Sequence, residues 1–288
     1  MSTIRKGVAL AAALGALAGC GESSPPPERE APRPQRIVSL SPSATETLFA
    51  VGAGAQVVAV DSESDHPPGV PRTQLSAYEP NVEAIAEFEP DLVVLPADVP
   101  RDALAGLRRL RLRVIAQPVP DDLEGAYAQM RELGAATGHR EAGAELARKV
   151  RDRVEQAIAA ASRSAGLKVF HELDPDLFSA SSETFIGRIY ARLGLRNVAD
   201  PAAARSGAPY PQLSAEGVLR ADPDLIVLAD SECCGQTPAK VRRRPGWSVV
   251  SAVREGAVVS VDDDIASRWG PRIPEFVERV AEAAEAAA

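Results

Sequence analysis

Residues 229–238 read "ADSECCGQTP" and hold two of the chain's three cysteines side by side, Cys233 and Cys234. Such a pair can serve as a nucleophile, as metal ligands, as a disulfide, or as two small apolar residues in a loop. A Cys–His nucleophile would need one of the chain's three histidines, His66, His139 or His171, close to Cys233. His171 ends an apolar strand pattern, so contact is conceivable, yet the other marks of an enzyme are missing. There is no G-x-S-x-G elbow, no phosphate-cradling glycine loop and no H-E-x-x-H pair. No enzyme and no cofactor are therefore expected. A zinc or manganese site would need several converging histidines and carboxylates, and His139 opens a long helix pattern, so no resident metal is expected either.

The chain begins "MSTIRKGVALAAALGALAGC", with Arg5 and Lys6 ahead of an apolar run from Gly7 to Ala16. That run is too short to cross a bilayer, so residues 1–19 are expected to form a signal peptide. Leu-Ala-Gly-Cys resembles a bacterial lipobox, which implies lipidation of Cys20 and tethering to a membrane surface. Residues 20–35 include five prolines and no apolar side chain larger than alanine after Cys20. A disordered or extended tether is expected there, because nothing in it can bury a core. Removing residues 1–19 strips Arg5 and Lys6 and no acid, so the formal charge moves from −8 to −10. That balance argues against a nucleic-acid partner, which needs a basic face. The expected location is extracytoplasmic, lipid-anchored at the cell surface or in the periplasm.

An internal repeat organises the rest. Residues 81–95, "NVEAIAEFEPDLVVL", match residues 214–228, "SAEGVLRADPDLIVL", at a constant spacing of 133, which pairs Glu83 with Glu216. Each copy has a short helix pattern, a Pro-Asp turn and a run suited to a buried parallel strand. A second echo joins residues 36–52 to residues 168–194, each with a strand, a Ser/Thr-rich turn, a helix and a glycine. In the first, Ser43 and Glu46 have capping-box spacing and Pro42 suits the helix start. "RVIAQ" (113–117) and "AVVSV" (257–261) close the two halves.

Alternating strands and helices predict an α/β fold of two lobes, each a mostly parallel sheet flanked by helices. The N-terminal lobe is expected over residues 36–138 and the C-terminal lobe over 165–288. Between them, Leu146, Val150, Val154 and Ile158 recur every four residues, predicting one long backbone helix over 139–164 and only small lobe movements. Ligands of open α/β sheets bind beyond the carboxyl ends of the strands. That places Ser41, directly after the first strand, and the Cys233–Cys234 loop among the candidate ligand contacts.

These patterns resemble the class III periplasmic substrate-binding proteins of ABC importers, and in detail the vitamin B12-binding branch. "RIVSLSPSATETLFAVGAG", "NVEAIAEFEPDLVVL", "YPQLSAEGVLRADPDLIVL" and "DDDIASRWGPRI" carry the resemblance, which covers residues 36–285. It implies two α/β lobes joined by a backbone helix, a ligand held between them, and delivery to the transmembrane subunits of an ABC permease. It also implies that Glu83 and Glu216 dock on the permease, one per lobe, that Tyr210 lines the pocket, and that Asp264 and Arg268 meet the edge of a corrin ring. Glu83 and Glu216 equally suit the first turns of helices, and Asp264 and Arg268 have the spacing of a plain helical ion pair. Three ring contacts of that branch are altered: Glu63 replaces one, Tyr78 lies about one residue from another, and Pro96–Ala97 replace a third.

The expected function is capture of a cobalamin-like corrinoid by a lipid-anchored monomer; an iron–siderophore or haem receptor, or less readily a free-metal receptor, is the alternative. Adjacent cysteines span about 3.8 Å between Cα atoms, less than the usual disulfide. Once Cys20 carries lipid they have no other partner, and the compartment is oxidising. A vicinal Cys233–Cys234 disulfide that stiffens the loop and faces the ligand is therefore expected.

Overall fold

Both halves of the chain tie down their sheets with an aspartate from the repeated Pro-Asp-Leu. Asp91 accepts hydrogen bonds from the backbone N–H groups of Gln35 (2.7 Å) and Arg36 (3.0 Å), and Asp224 accepts one from Lys168 (2.7 Å). Two residues before each aspartate, Glu89 and Asp222 turn the chain in the left-handed region at φ of 47° and 48°. The repeat is thus a turn that fixes the start of one strand against the start of its neighbour.

A computed structural model describes residues 32–161 and 163–288. The expected signal peptide, Cys20 and most of the expected tether lie outside the described residues. The first lobe runs β1 (Ile37–Ser39), α1 (Pro42–Ala50), β2 (Val57–Val60), α2 (Val82–Ala86), β3 (Leu92–Pro96), α3 (Arg101–Arg109), β4 (Arg113–Gln117) and α4 (Leu123–Ala136). Helix α5 (Arg140–Ala160) then leads to the second lobe. That lobe begins with β5 (Lys168–Glu172), α6 (Phe185–Arg192), β6 (Arg196–Asn197), α7 (Asp200–Ser206) and α8 (Ala215–Ala221). It continues with β7 (Leu225–Leu228), α9 (Pro238–Arg242), α10 (Ser251–Glu255), β8 (Val258–Ser260), α11 (Asp263–Ser267) and α12 (Ile273–Ala287).

The sheets have one topology, β2-β1-β3-β4 and β6-β5-β7-β8, with every pairing parallel. Parallel strands covered on both faces need apolar residues at every position. In β3, Leu92 and Val94 face one core with Leu48 of α1, while Val93 and Leu95 face the other with Ile85 and Leu107. In β7, Leu225 and Val227 share a core with α12, and Ile226 and Leu228 pack toward Trp247. The two-lobed α/β fold read from the sequence is the fold of the protein.

One core joins the lobes. Tyr127 and Met130 of α4, Val150 and Val154 of α5, and Phe276 and Val280 of α12 pack with Val169 and Leu225 of the second sheet. Gly134 and Gly143 let α4 and α5 touch backbone to backbone, since a Cβ on Gly134 would lie 2.7 Å from the Gly143 Cα.

Three local expectations change. The backbone helix is shorter than residues 139–164: His139 stands at its N-cap and the chain leaves it at Ala161, where the Ser164 hydroxyl donates to the Ala161 and Leu193 carbonyls (both 2.8 Å). The tether does not extend to residue 35, because Gln35 is held by Asp91 and the Arg33 guanidinium meets His139 Nε2 at 2.7 Å. Helix α1 is capped by Ser41, whose Oγ accepts from the Ala44 N–H at 3.4 Å, rather than by Ser43. Glu46 is thereby freed from a capping box and turns to another task.

Candidate ligand cleft

The carboxyl ends of both sheets open on one cleft. Two cavities share Val119, Ser267, Arg268 and Trp269, so they are compartments of that cleft. The smaller, about 210 Å³, is walled by Leu173, Ile186, Tyr210, Trp269 and Phe276. The larger, about 520 Å³, is lined from the first lobe by Ser41, Asp61, Glu63, Tyr78, Asp98 and Gln117, and from the second by Asp264 and Arg268. A concave space with apolar walls and a few polar groups is the usual form of a small-molecule site.

Arg268 crosses this cleft. Its Nη1 lies 2.9 Å from Asp65 Oδ1 and 3.4 Å from Glu46 Oε1, both in the first lobe. Its Nη2 donates to the Glu63 carbonyl at 2.9 Å and pairs with Asp264 Oδ1 at 2.7 Å. Arg272 adds a fork onto Glu46, Nε to Oε2 at 3.0 Å and Nη2 to Oε1 at 2.6 Å. Glu46 is the only charged residue of α1 and is buried, so its charge is viable only because two guanidiniums meet it. Gly270 allows the approach: a Cβ there would stand 3.3 Å from Glu46 Oε2 and from the Ser43 carbonyl.

The surrounding carboxyls divide by environment. Burial raises Asp61 above the usual carboxylate range, although the Ser64 N–H donates to it at 3.0 Å. Burial likewise raises Asp264 and outweighs the attraction of Arg268. At Asp65 burial acts in the same direction, but the hydrogen bond and charge of Arg268 outweigh it and hold the group low.

The cysteine loop sits beside the start of α11. Asp263 accepts from the backbone N–H of Ser231 (2.8 Å), Glu232 (3.1 Å) and Cys233 (2.8 Å), pinning the loop to that helix. Cys233 and Cys234 are paired as a vicinal disulfide, with Cα atoms 3.8 Å apart. Both are exposed, and neither is among the residues that line the two cavities. Beneath the loop, Arg244 forks onto the buried Glu172 and its guanidinium carbon lies 4.6 Å from the centre of the Trp247 ring. Asp230 beside them is pushed up to about 7, chiefly by burial and then by the Glu172 charge, with Arg244 opposing. His171 lies in the core, its Nδ1 2.6 Å from the Tyr190 hydroxyl, where burial lowers it to about 4.

Of the residues singled out by sequence, Ser41, Tyr78, Asp264 and Arg268 meet at the larger cavity, and Tyr210 walls the smaller one. Tyr78 is 84% exposed, so its ring is free of the core. Glu83 and Glu216 are exposed in the first turns of α2 and α8, helices capped alike by Asn81 (2.9 Å to Ala84 N) and Ser214 (3.0 Å to Gly217 N). Sequence reasoning missed Glu46, Asp61, Asp65, Asp263 and Arg272. A lone charge inside the otherwise uncharged α1 was the one signal that marked Glu46. Among the described residues, no group of three or more His, Cys, Asp or Glu is placed to hold a metal, and no helix is long and apolar enough to cross a membrane.

Residues 37–265 match the family model described as "Periplasmic binding protein". The chain is 32% identical over 259 residues to a cobalamin-binding protein of Halobacterium salinarum, covering 87% of this chain and 69% of the relative. It is 28% identical over 258 residues to an uncharacterized ABC transporter substrate-binding lipoprotein, YvrC, of Bacillus subtilis, covering 86% of this chain and 79% of that one. The crystal structure of the periplasmic vitamin B12-binding protein BtuF of Vibrio cholerae superposes with a TM-score of 0.74 at 26% identity, covering 88% of this chain and 98% of the other.

Proposed function

The chain belongs to the periplasmic binding protein family, and from that premise we propose that it captures a corrinoid in the interlobe cleft and delivers it to an ABC permease. The observation that carries this reading is the cleft itself, a space between two like sheets with an apolar wall holding Tyr210 and Trp269 and a polar floor. Flat aromatic and aliphatic walls suit a large macrocycle, and Ser41, Gln117 and Asp264 suit its amide rim. Relatives named for cobalamin binding support the same ligand class.

This chain supplies affinity and docking, while ATP hydrolysis occurs on other subunits. Glu83 and Glu216 are the docking groups, one per lobe at equivalent helix starts, which matches a permease with two-fold symmetry. Cys20 is the lipid attachment point that keeps a monomeric receptor at the membrane surface.

Titration with cyanocobalamin, haemin and a ferric hydroxamate, followed by intrinsic tryptophan fluorescence, tests the ligand. Trp269 lines both cavities and Trp247 is buried in the core, so quenching is expected with the corrinoid and is expected to shrink in Trp269→Phe. Saturable binding of haemin or the hydroxamate, with none of cyanocobalamin, would replace the corrinoid by an iron chelate.

A further inference from the structure

We propose that the cleft selects its chelate by charge, favouring a cationic ligand over a neutral one of the same shape and rejecting anionic chelates. This inference rests on the receptor reading. The larger cavity is lined by four carboxylate residues, Asp61, Glu63, Asp98 and Asp264, against one basic residue, Arg268. The smaller cavity adds no other charged side chain.

Arg268 is not free to greet an anion. Its side chain is only 10% exposed, and both terminal nitrogens are occupied, Nη1 by Asp65 and Glu46, Nη2 by the Glu63 carbonyl and Asp264. A guanidinium has four N–H groups on those two nitrogens, so four acceptors saturate them. Arg272 is likewise committed to Glu46. Within this network three carboxylates, Glu46, Asp65 and Asp264, face two guanidiniums, which leaves an excess negative charge before Asp61, Glu63 and Asp98 are added.

An anionic chelate, such as a haem with its two propionates or a ferric catecholate, would have to compete for Arg268 with the acceptors it already holds, Asp65, Asp264, Glu46 and the Glu63 carbonyl. Displacing Glu46 would deprive a carboxylate of 2% side-chain exposure of one of its counter-charges, and displacing Asp65 or Asp264 would leave an unpaired carboxylate beside the incoming anion. A positively charged complex leaves the network intact and meets Asp61, Glu63 and Asp98, the carboxyl side chains that line the cavity outside that network. A corrinoid with water in place of cyanide on cobalt differs from its neutral counterpart by one positive charge and by the exchangeability of that ligand, and of these the charge is what salt screens.

The test is equilibrium binding of aquacobalamin, cyanocobalamin and haemin to the intact mature protein in neutral buffer, at low and at high salt. Aquacobalamin is expected to bind roughly threefold or more tighter than cyanocobalamin at low salt, the order of one partly screened charge contact. The gap should shrink as salt rises. Haemin should bind weakest. Glu63→Gln/Asp98→Asn removes two exposed lining charges without touching the core and should narrow the gap by weakening aquacobalamin more than cyanocobalamin. Equal affinities for the two corrinoids at both salt concentrations, or tightest binding of haemin, overturn charge selection while leaving a receptor. Failure of all three to bind overturns the receptor reading and the inference together.

Discussion

Glu46 and Arg272 stand 226 positions apart in the chain, yet their side chains share two hydrogen bonds across the cleft, at 2.6 and 3.0 Å. The glutamate belongs to the first lobe and the arginine to the segment entering α12, so the pair fixes how the lobes face one another. Removing one partner of a buried ion pair strands the other charge, at a cost of about 3–5 kcal/mol. Arg268 keeps Asp65 and Asp264 and Arg272 is partly solvated, so Glu46→Ala is expected to lose somewhat less, about 2–4 kcal/mol. Urea denaturation measures this; a change below about 0.5 kcal/mol, the range of an ordinary surface substitution, would show that the pair does not hold the lobes.

Stability should depend on pH from both sides. Asp230 titrates at about 7 in the folded protein, while an unfolded carboxyl titrates near 4, so across that window the folded state keeps a proton that the unfolded state has released. Stability therefore falls as pH rises from about 4 to 7 on account of this group. His171 acts oppositely: it is held neutral down to about 4 in the fold but protonates near 6.5 when unfolded, so its contribution is lost as pH falls through that window. Asp230→Asn should raise stability above pH 7 by about 1–3 kcal/mol and leave it nearly unchanged at pH 4. Thermal melts of both proteins across pH decide it; parallel curves would remove Asp230 from the linkage.

The cysteine pair should be oxidised in the mature protein. Iodoacetamide added to native, lipidated protein is expected to label no cysteine, and two after reduction. Asp263→Ala removes the acceptor shared by three successive N–H groups of the loop, so faster amide exchange is expected at Ser231, Glu232 and Cys233. Two thiols labelled without reductant would rule the disulfide out, and unchanged exchange in the variant would rule out the clamp.

Docking and capture should separate. Glu83 and Glu216 are exposed on α2 and α8 and absent from the lining of both cleft cavities, so Glu83→Arg/Glu216→Arg should bind ligand as tightly as the parent and fail to support uptake. Normal uptake by the double variant would mean that the permease reads other residues.

The sequence alone determined the two parallel sheets, the helix that joins them and the equivalence of Glu83 with Glu216. Those features are written in neighbouring residues: a buried strand needs an unbroken apolar run, a helix needs its repeat of three to four, and a duplicated half repeats both. Ser41, Tyr78, Tyr210, Asp264 and Arg268 were singled out because they follow strand ends or match a family motif, and they line the two cavities of the cleft. The pair of Arg268 with Asp264 was local, four residues apart, but tertiary structure decided the rest of what Arg268 does, because Glu46, Glu63 and Asp65 come from loops and a helix more than two hundred residues earlier. Local pattern assigned Glu46 to a helix cap; only the docking of the second lobe against α1 made it an ion-pair partner. The cysteine pair lies in the loop after β7 and was expected to face the ligand; in the fold it stands on the exposed rim, outside the lining of both cavities, with Asp263 holding the loop against α11. Periodicity encodes which residues are buried, whereas which charges meet depends on how two finished sheets are packed together by α4, α5 and α12.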